Sequence, residues 1–238
     1  MATRPIFTVS EEEGTFFKQK DVEFEWFSGM ASSQKKKSVE SLHSAGELEG
    51  ITGILEVSTK SEEVLGNRLS AFNLSVIDHN GKLLPIELAF QGSKVFENGG
   101  PYHDLYNKDI REVKKDERIS RDFVITSFNF QGEIWENEPK TAFYDWLYLN
   151  AVNQQLGGDS DLLFKKILNY HAFTDIEFNP KKSLNCQARS CAVFVSLTRR
   201  NLLQIALESK EGFLDILSGD PFYRSEVQEN LEQGEFEF

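Results

Sequence analysis

The sequence predicts an α+β fold in one domain, on three observations. Runs that alternate apolar and polar residues cluster in the first half of the chain, and runs of helical period cluster in the second. No strand–helix–strand unit repeats along the chain, which argues against a continuous parallel sheet. The composition, 39% hydrophobic and 12% aromatic with 20 Phe, supports a real core in 238 residues. The expected architecture is a small, mostly antiparallel sheet and a hairpin in the N-terminal half, packed with several helices.

The first strand signal is "DVEFEWF", in which Val22, Phe24 and Trp26 alternate with Glu23 and Glu25. "SSQKKKSVESLHSAGELEG" reads as a polar helix capped by Ser32 or Ser33 and stopped at Gly50. "ITGILEVSTKS" reads as a second strand. "LSAFNLSVIDHNGKLLPIE" reads as a hairpin turning at Asn80-Gly81. Pro85 and Gly99-Gly100 then bracket a helix from Ile86 to Asn98. The charged run from Lys108 to Arg121 reads as a solvated, self-paired helix. "FVITSFNFQGEIW" reads as a strand segment. Pro139 opens an apolar helix whose broad face carries Ala142, Phe143, Trp146, Leu147 and Leu149. "DSDLLFKKILNY" follows as a helix capped by Asp159 or Ser160. A polar loop through "FTDIEFNPKK" leads to a helix capped near Ser183, and "NLLQIALESKEGFLDIL" forms the last helix. Residues 1–220 form the expected domain, and 221–238 an acidic flexible tail.

Composition narrows the function. The net charge of −12 disfavours bulk binding along a nucleic-acid backbone, so an anionic substrate needs a local basic pocket. Cys186 and Cys191 fit neither a disulfide framework nor a metal spacing, and read as buried thiols on one helix. His43, His79, His103 and His171 are scattered, and no metal or cofactor is expected. No apolar run has membrane-spanning length and no signal-peptide core is visible, so the expected location is the cytoplasm, with no membrane partner. Nucleophile elbows, phosphate loops and dinucleotide fingerprints do not occur.

What remains is carboxylate and lysine chemistry. On a wheel of about 100° per residue, Glu87, Gln91, Lys94 and Asn98 form a stripe roughly 60° wide, with Phe90 pointing away from the core beside it. Glu87 and Lys94 would be separated by about 10 Å of helical rise. A single ligand lying across the stripe could meet both. A carboxylate near an anomeric carbon favours an oxocarbenium-like transition state. A lysine can assist the leaving group or attack an opened sugar aldehyde, and an exposed aromatic can stack on a base. The plain alternative is a solvated helix face. Asp175, Glu177, Asn179, Lys181 and Lys182 crowd a later loop. They read either as turn residues or as an anion and ribose site at a helix start.

"LSAFNL", followed after about a dozen residues by E-x-x-F-Q-x-x-K, resembles the NADAR family, named for its link to NAD and ADP-ribose. The matching residues are Ser70, Phe72 and Asn73, then Glu87, Phe90, Gln91 and Lys94. Asn185 resembles the asparagine of the family's C-terminal helix. "AFQGSKVFENGGPY", "EPKTAFYDWLYLNA" and "DIEFNPKKSLNCQA" resemble one branch of the family, antitoxins encoded beside DarT-type DNA ADP-ribosyltransferase toxins. The chain departs from the family at "RDF" (Arg121, Asp122, Phe123) and lacks a Trp-Gly near Asp175.

The resemblance implies an N-glycosidase that removes ADP-ribose from guanine in DNA, with the DarT-type toxin as functional partner and direct binding to it left open. It implies Glu87 and Lys94 as catalytic residues. It also implies that Ser70, Phe72, Asn73, Phe90, Gln91, Arg118, Asp175, Asn179, Lys181 and Asn185 bind substrate. Three alternatives stand beside it: a non-catalytic antitoxin that blocks its toxin, a metabolic N-glycosidase acting on ribosylamine phosphates, and a binder of free ADP-ribose.

Overall fold

An edge that the sequence reading passed over starts the fold. In the computed structural model, which describes residues 1–29, 31–119, 123–157 and 162–226, β1 (Ala2–Val9) pairs antiparallel with β2 (Phe17–Phe24) along their full lengths. "DVEFEWF" is therefore the end of a longer strand. Val22 and Phe24 are buried as expected, but the chain leaves the sheet before Trp26. α1 (Ser32–Leu48) follows without a serine cap; Ala31 is its N-cap, and no side chain bonds there. Gly50, at φ +85°, ends it as expected.

β3 (Ile54–Glu56) and the short α2 (Val64–Arg68) lead into the hairpin of β4 (Ser75–Ile77) and β5 (Leu83–Pro85). Asn80-Gly81 lies in its turn, with Gly81 at φ +78°. α3 (Ile86–Ser93) ends five residues earlier than expected. Lys94 adopts an extended conformation and opens β6 (Lys94–Phe96). The reason is competition from a partner strand: β-prone Val95 and Phe96 pair with β7 (Ile125–Phe130), while Tyr102 N–H takes the Gly92 carbonyl at 2.9 Å. Where a helix was expected from Lys108, the described residues form only α4 (Ile110–Val113) and a 3-10 turn at Glu117–Ile119, preceded by a 3-10 segment at His103–Asn107. "FVITSFNFQGEIW" forms two strands, because Gln131 and Gly132 both take positive φ and turn β7 into β8 (Glu133–Glu136).

α5 (Ala142–Gln155) is buried almost all round, which explains why its predicted face was so broad. α6 (Leu162–Ile167) precedes β9 (Ala172–Thr174), a strand missed inside the expected polar loop. β9 lies between β1 and β3, giving the order β2-β1-β9-β3 with β3 parallel to β9. α7 (Gln187–Arg199) starts after Cys186 rather than at Ser183, so Cys191 lies in the helix and Cys186 just before it. Both thiols are buried. The expected last helix is two, α8 (Leu203–Glu208) and α9 (Lys210–Ser218). Ser209 breaks the helix and caps α9 through the Gly212 N–H.

The sheet sorts its side chains by alternation. Ile6, Val22, Phe24 and Ala172 meet Val39 and Leu42 of α1 on one face. Phe7, Phe17 and Phe173 join the main core with α5 and α7 on the other. That core runs from Phe7 to Tyr223, so the chain folds as one mixed α/β domain. Residues 221–226, expected to begin a flexible tail, are helical and docked. Tyr223 is fully buried, and its hydroxyl donates to Asp145 at 3.0 Å. Asp159, Ser160, Arg121, Asp122 and the tail beyond residue 226 lie outside the described residues.

Candidate active site

A cleft opens where α3, the α4 segment, α5 and the loop before α7 converge. Its larger lobe, about 730 Å³, is lined by Glu87, Phe90, Gln91 and Lys94 on one side and by Lys114 to Glu117 on another. Its smaller lobe, about 440 Å³, is lined by Phe72, Asp175, Asn179, Lys182 and Gln187. Glu87, Tyr144, Ser183 and Asn185 line both lobes. Glu87 and Lys94 thus share one hollow, even though Lys94 leaves the helix. The pleat of β6 carries out a placement that the helical wheel assigned to a further turn.

Burial pushes the Glu87 carboxyl above the ordinary glutamate range, and the charges of Lys114 and Lys94 oppose that shift. Lys94 Nζ lies 5.0 Å from the Phe90 ring centroid. Phe90 does not point away from the core. It is only 9% exposed and packs against Phe128, Phe143 and Tyr144. Burial also drives the Tyr144 hydroxyl far above 10, reinforced by the Glu87 charge, so Tyr144 presents a neutral phenol to the cleft.

Asp175 forms the back of the smaller lobe. Its Oδ1 accepts the backbone N–H groups of Glu177 and Phe178, and its Oδ2 accepts Gln187 Nε2 at 2.8 Å. Gln187 Oε1 in turn accepts the Ala71 N–H at 2.7 Å, which ties the Phe72 turn to the start of α7. Behind Asp175 lies Glu56, fully buried. Its Oε1 accepts from Ser58 Oγ at 2.5 Å and Ile176 N–H at 2.9 Å, and its Oε2 accepts from Thr174 Oγ1 at 2.7 Å. Burial raises both carboxyls, and the Asp175 charge raises Glu56 further.

Of the other sequence candidates, Ser70, Asn73, Arg118 and Lys181 stand apart from the cleft, whereas Asn179 and Asn185 line it. Ser70 is fully buried and lies behind the rim. Asn73 uses its side-chain amide on Asn67, at 2.8 Å from the carbonyl, to hold the turn. Arg118 is engaged by Asp104 and Asp116, both within 2.9 Å, and its guanidinium covers Tyr102. Lys181 is exposed outside both lobes, and Lys182 takes the place expected for it. Asn179 lines the smaller lobe, but its Oδ1 accepts Lys181 N–H at 3.0 Å in a turn. Asn185 lies in the loop before α7, not on the helix, with its Oδ1 buried and unpartnered among the described residues.

Tyr144, Gln187, Lys114 and Lys115 are cleft residues that the sequence reading did not single out. Tyr144 was hidden among the apolar residues of α5, and the lysines in a run that looked self-paired.

No curated protein matches the sequence. The family model for DarT1-associated NADAR antitoxins matches residues 2–227, nearly the whole chain and both halves of the cleft. The chain therefore belongs to the DarT1-associated NADAR antitoxin family.

Proposed function

We propose that this chain is an N-glycosidase that removes ADP-ribose from guanine bases of DNA, reversing the mark of a DarT-type toxin. One observation carries the reading: a desolvated carboxylate, Glu87, stands on the wall common to both lobes, with Lys94 and Lys114 acting on its charge. A ligand spanning both lobes would present its central bond there. The lysines of the larger lobe suit a diphosphate, and the amides and carboxylate of the smaller lobe suit hydroxyl or base-edge hydrogen bonds.

In this mechanism the bond between ribose C1 and the guanine exocyclic nitrogen breaks. Its electron pair leaves with the nitrogen, which takes a proton from the Lys94 ammonium. Glu87 stabilises the positive charge at C1 and accepts a proton from the water that attacks it. In a variant route the ribose ring opens with C1 held to the guanine nitrogen as an iminium; the neutral Lys94 amine adds to C1, the C1–guanine bond breaks as the guanine amine leaves, and water hydrolyses the lysine Schiff base to release the sugar and restore the amine.

Glu87→Gln should lower ADP-ribose release from an ADP-ribosyl-guanine oligonucleotide by about 10²–10⁴-fold, the usual worth of a general base, with an unchanged circular dichroism spectrum. Undiminished release would remove Glu87 from the mechanism. Because the carboxylate form is required and its pKa is raised, the acid limb of the rate profile should lie above the ordinary value of about 4.3. Borohydride reduction during turnover, read by mass spectrometry, distinguishes the lysine adduct from direct hydrolysis.

The blocking reading draws on the antitoxin family and the net charge of −12, which suits a basic partner. Glu87→Gln separates the two in cells, since a blocking inhibitor would still neutralise the toxin. Turnover of a ribosylamine phosphate instead of the DNA adduct would favour the metabolic alternative.

A further inference from the structure

Phe72 is 53% exposed at the rim of the smaller lobe. The turn that carries it is tied down on both sides. Ala71 N–H donates to Gln187 Oε1 at 2.7 Å, and Asn73 N–H donates to Ser70 O at 2.8 Å. A turn pinned this firmly leaves a large apolar ring in water, where a polar residue would be the ordinary occupant. The ring also has a cation on it: Lys114 Nζ lies 5.1 Å from its centroid, and Lys114 itself lines the larger lobe. Leu184, 57% exposed, adds a second apolar group between Ser183 and Asn185, which line both lobes. Lys115 and Lys182 line the larger and smaller lobes respectively.

The mouth of the cleft therefore combines a fixed aromatic face with lysine side chains, set among Asp116, Glu117 and Glu177; an aromatic face beside cations is the pairing that grips single-stranded nucleic acid without reading its sequence. The overall charge of −12 repels a DNA backbone at long range, so stacking at the mouth must supply what general attraction does not. We infer that Phe72 is a stacking platform for the base next to the modified guanine in a single strand, with Lys114 facing the adjoining phosphate.

This inference rests on the N-glycosidase reading, and two measurements keep the failures of the two apart. In the first, kcat/KM is compared for ADP-ribosyl-guanine within a short single strand and for the isolated ADP-ribosylated guanosine nucleotide. Phe72→Ala should lower the value for the strand about tenfold more than for the nucleotide, the size of one lost stack, and Phe72→Trp should restore it. Equal losses on the two substrates would mean that the ring serves the ADP-ribosyl nucleotide itself, and would overturn the inference, as would no loss or no rescue.

The second measurement, fluorescence anisotropy with an unmodified short single strand, needs no turnover. Weaker binding by Phe72→Ala and recovery by Phe72→Trp would support the platform. No binding by the unsubstituted protein, or equal binding by all three, would overturn it. Absence of sugar release from both substrates by the unsubstituted protein would sink the glycosidase reading instead, and the anisotropy result would still decide the role of Phe72.

Discussion

Glu56 is the residue whose chemistry is most constrained by its surroundings. Burial, with the Asp175 charge behind it, holds its carboxyl above the ordinary range. The folded state therefore keeps a proton there that the unfolded chain loses near pH 4.5. The sign follows: stability falls as pH rises from that value towards the raised folded one. Glu56→Gln should flatten this dependence. Its amide oxygen can still accept from Ile176 N–H and Ser58, and its NH₂ can donate to Thr174. At pH 8 the variant should be more stable than the parent, and the difference should shrink as the pH falls towards 5. Thermal melts of both proteins from pH 5 to pH 8 check this, and parallel curves would refute it. No feature of "ILEV" in the sequence distinguishes Glu56 from an exposed strand glutamate. Its partners Thr174, at the end of β9, and Ile176, just beyond it, lie more than a hundred residues away in sequence.

Among the elements, α3 brings Glu87, Phe90 and Gln91 to the cleft wall within eight residues. Its glycine is a packing requirement. A Cβ on Gly92 would lie 2.4 Å from Tyr106 Cε1, and the Tyr106 hydroxyl is bonded to Ser93 Oγ at 2.8 Å. Gly92→Ala should cost about 1–3 kcal/mol through overpacking, read from the urea midpoint, and should lower turnover because the same helix presents Glu87. An unchanged midpoint would show that Tyr106 gives way freely. The helical pattern located the start of this element and put Glu87 and Gln91 on its cleft side, because local period and the Pro85 boundary suffice for that. It did not find the end of the helix at Ser93, because pairing of β6 with β7 is decided thirty residues downstream. It also misplaced Phe90, whose neighbours Phe128 and Phe143 belong to other elements.

At the scale of the whole molecule, one buried ion pair joins α5, α7 and the C-terminal helical turn to the cleft. Arg189 reaches Asp145 at 3.2 Å and also donates to the Leu184 carbonyl, which fixes the loop that lines both lobes. Asp145 accepts further bonds from Ser190 Oγ at 2.5 Å and Tyr223 hydroxyl at 3.0 Å. Asp145→Asn would leave the Arg189 charge buried without its counterion and should cost about 3–5 kcal/mol. Tyr223→Phe removes only one hydrogen bond to a charged group, worth about 1.5–3 kcal/mol. Chemical denaturation should rank the two in that order, and a reversed ranking would mean that the tyrosine, not the ion pair, closes the domain.

The sequence by itself determined the α+β class, the hairpin at Asn80-Gly81, the start of α3 and the position of Glu87 on it. All of these follow from periodicity, turn residues and motif spacing within a few neighbouring turns. Tertiary structure alone decided that β9 completes the sheet, that Lys94 reaches the cleft from a strand, and that Tyr144 and Gln187 line it. It also decided that Arg118 and Asn73 are spent on structure. Those outcomes depend on which distant side chains compete for the same hydrogen bonds and the same buried volume, and that competition leaves no local trace in the order of residues.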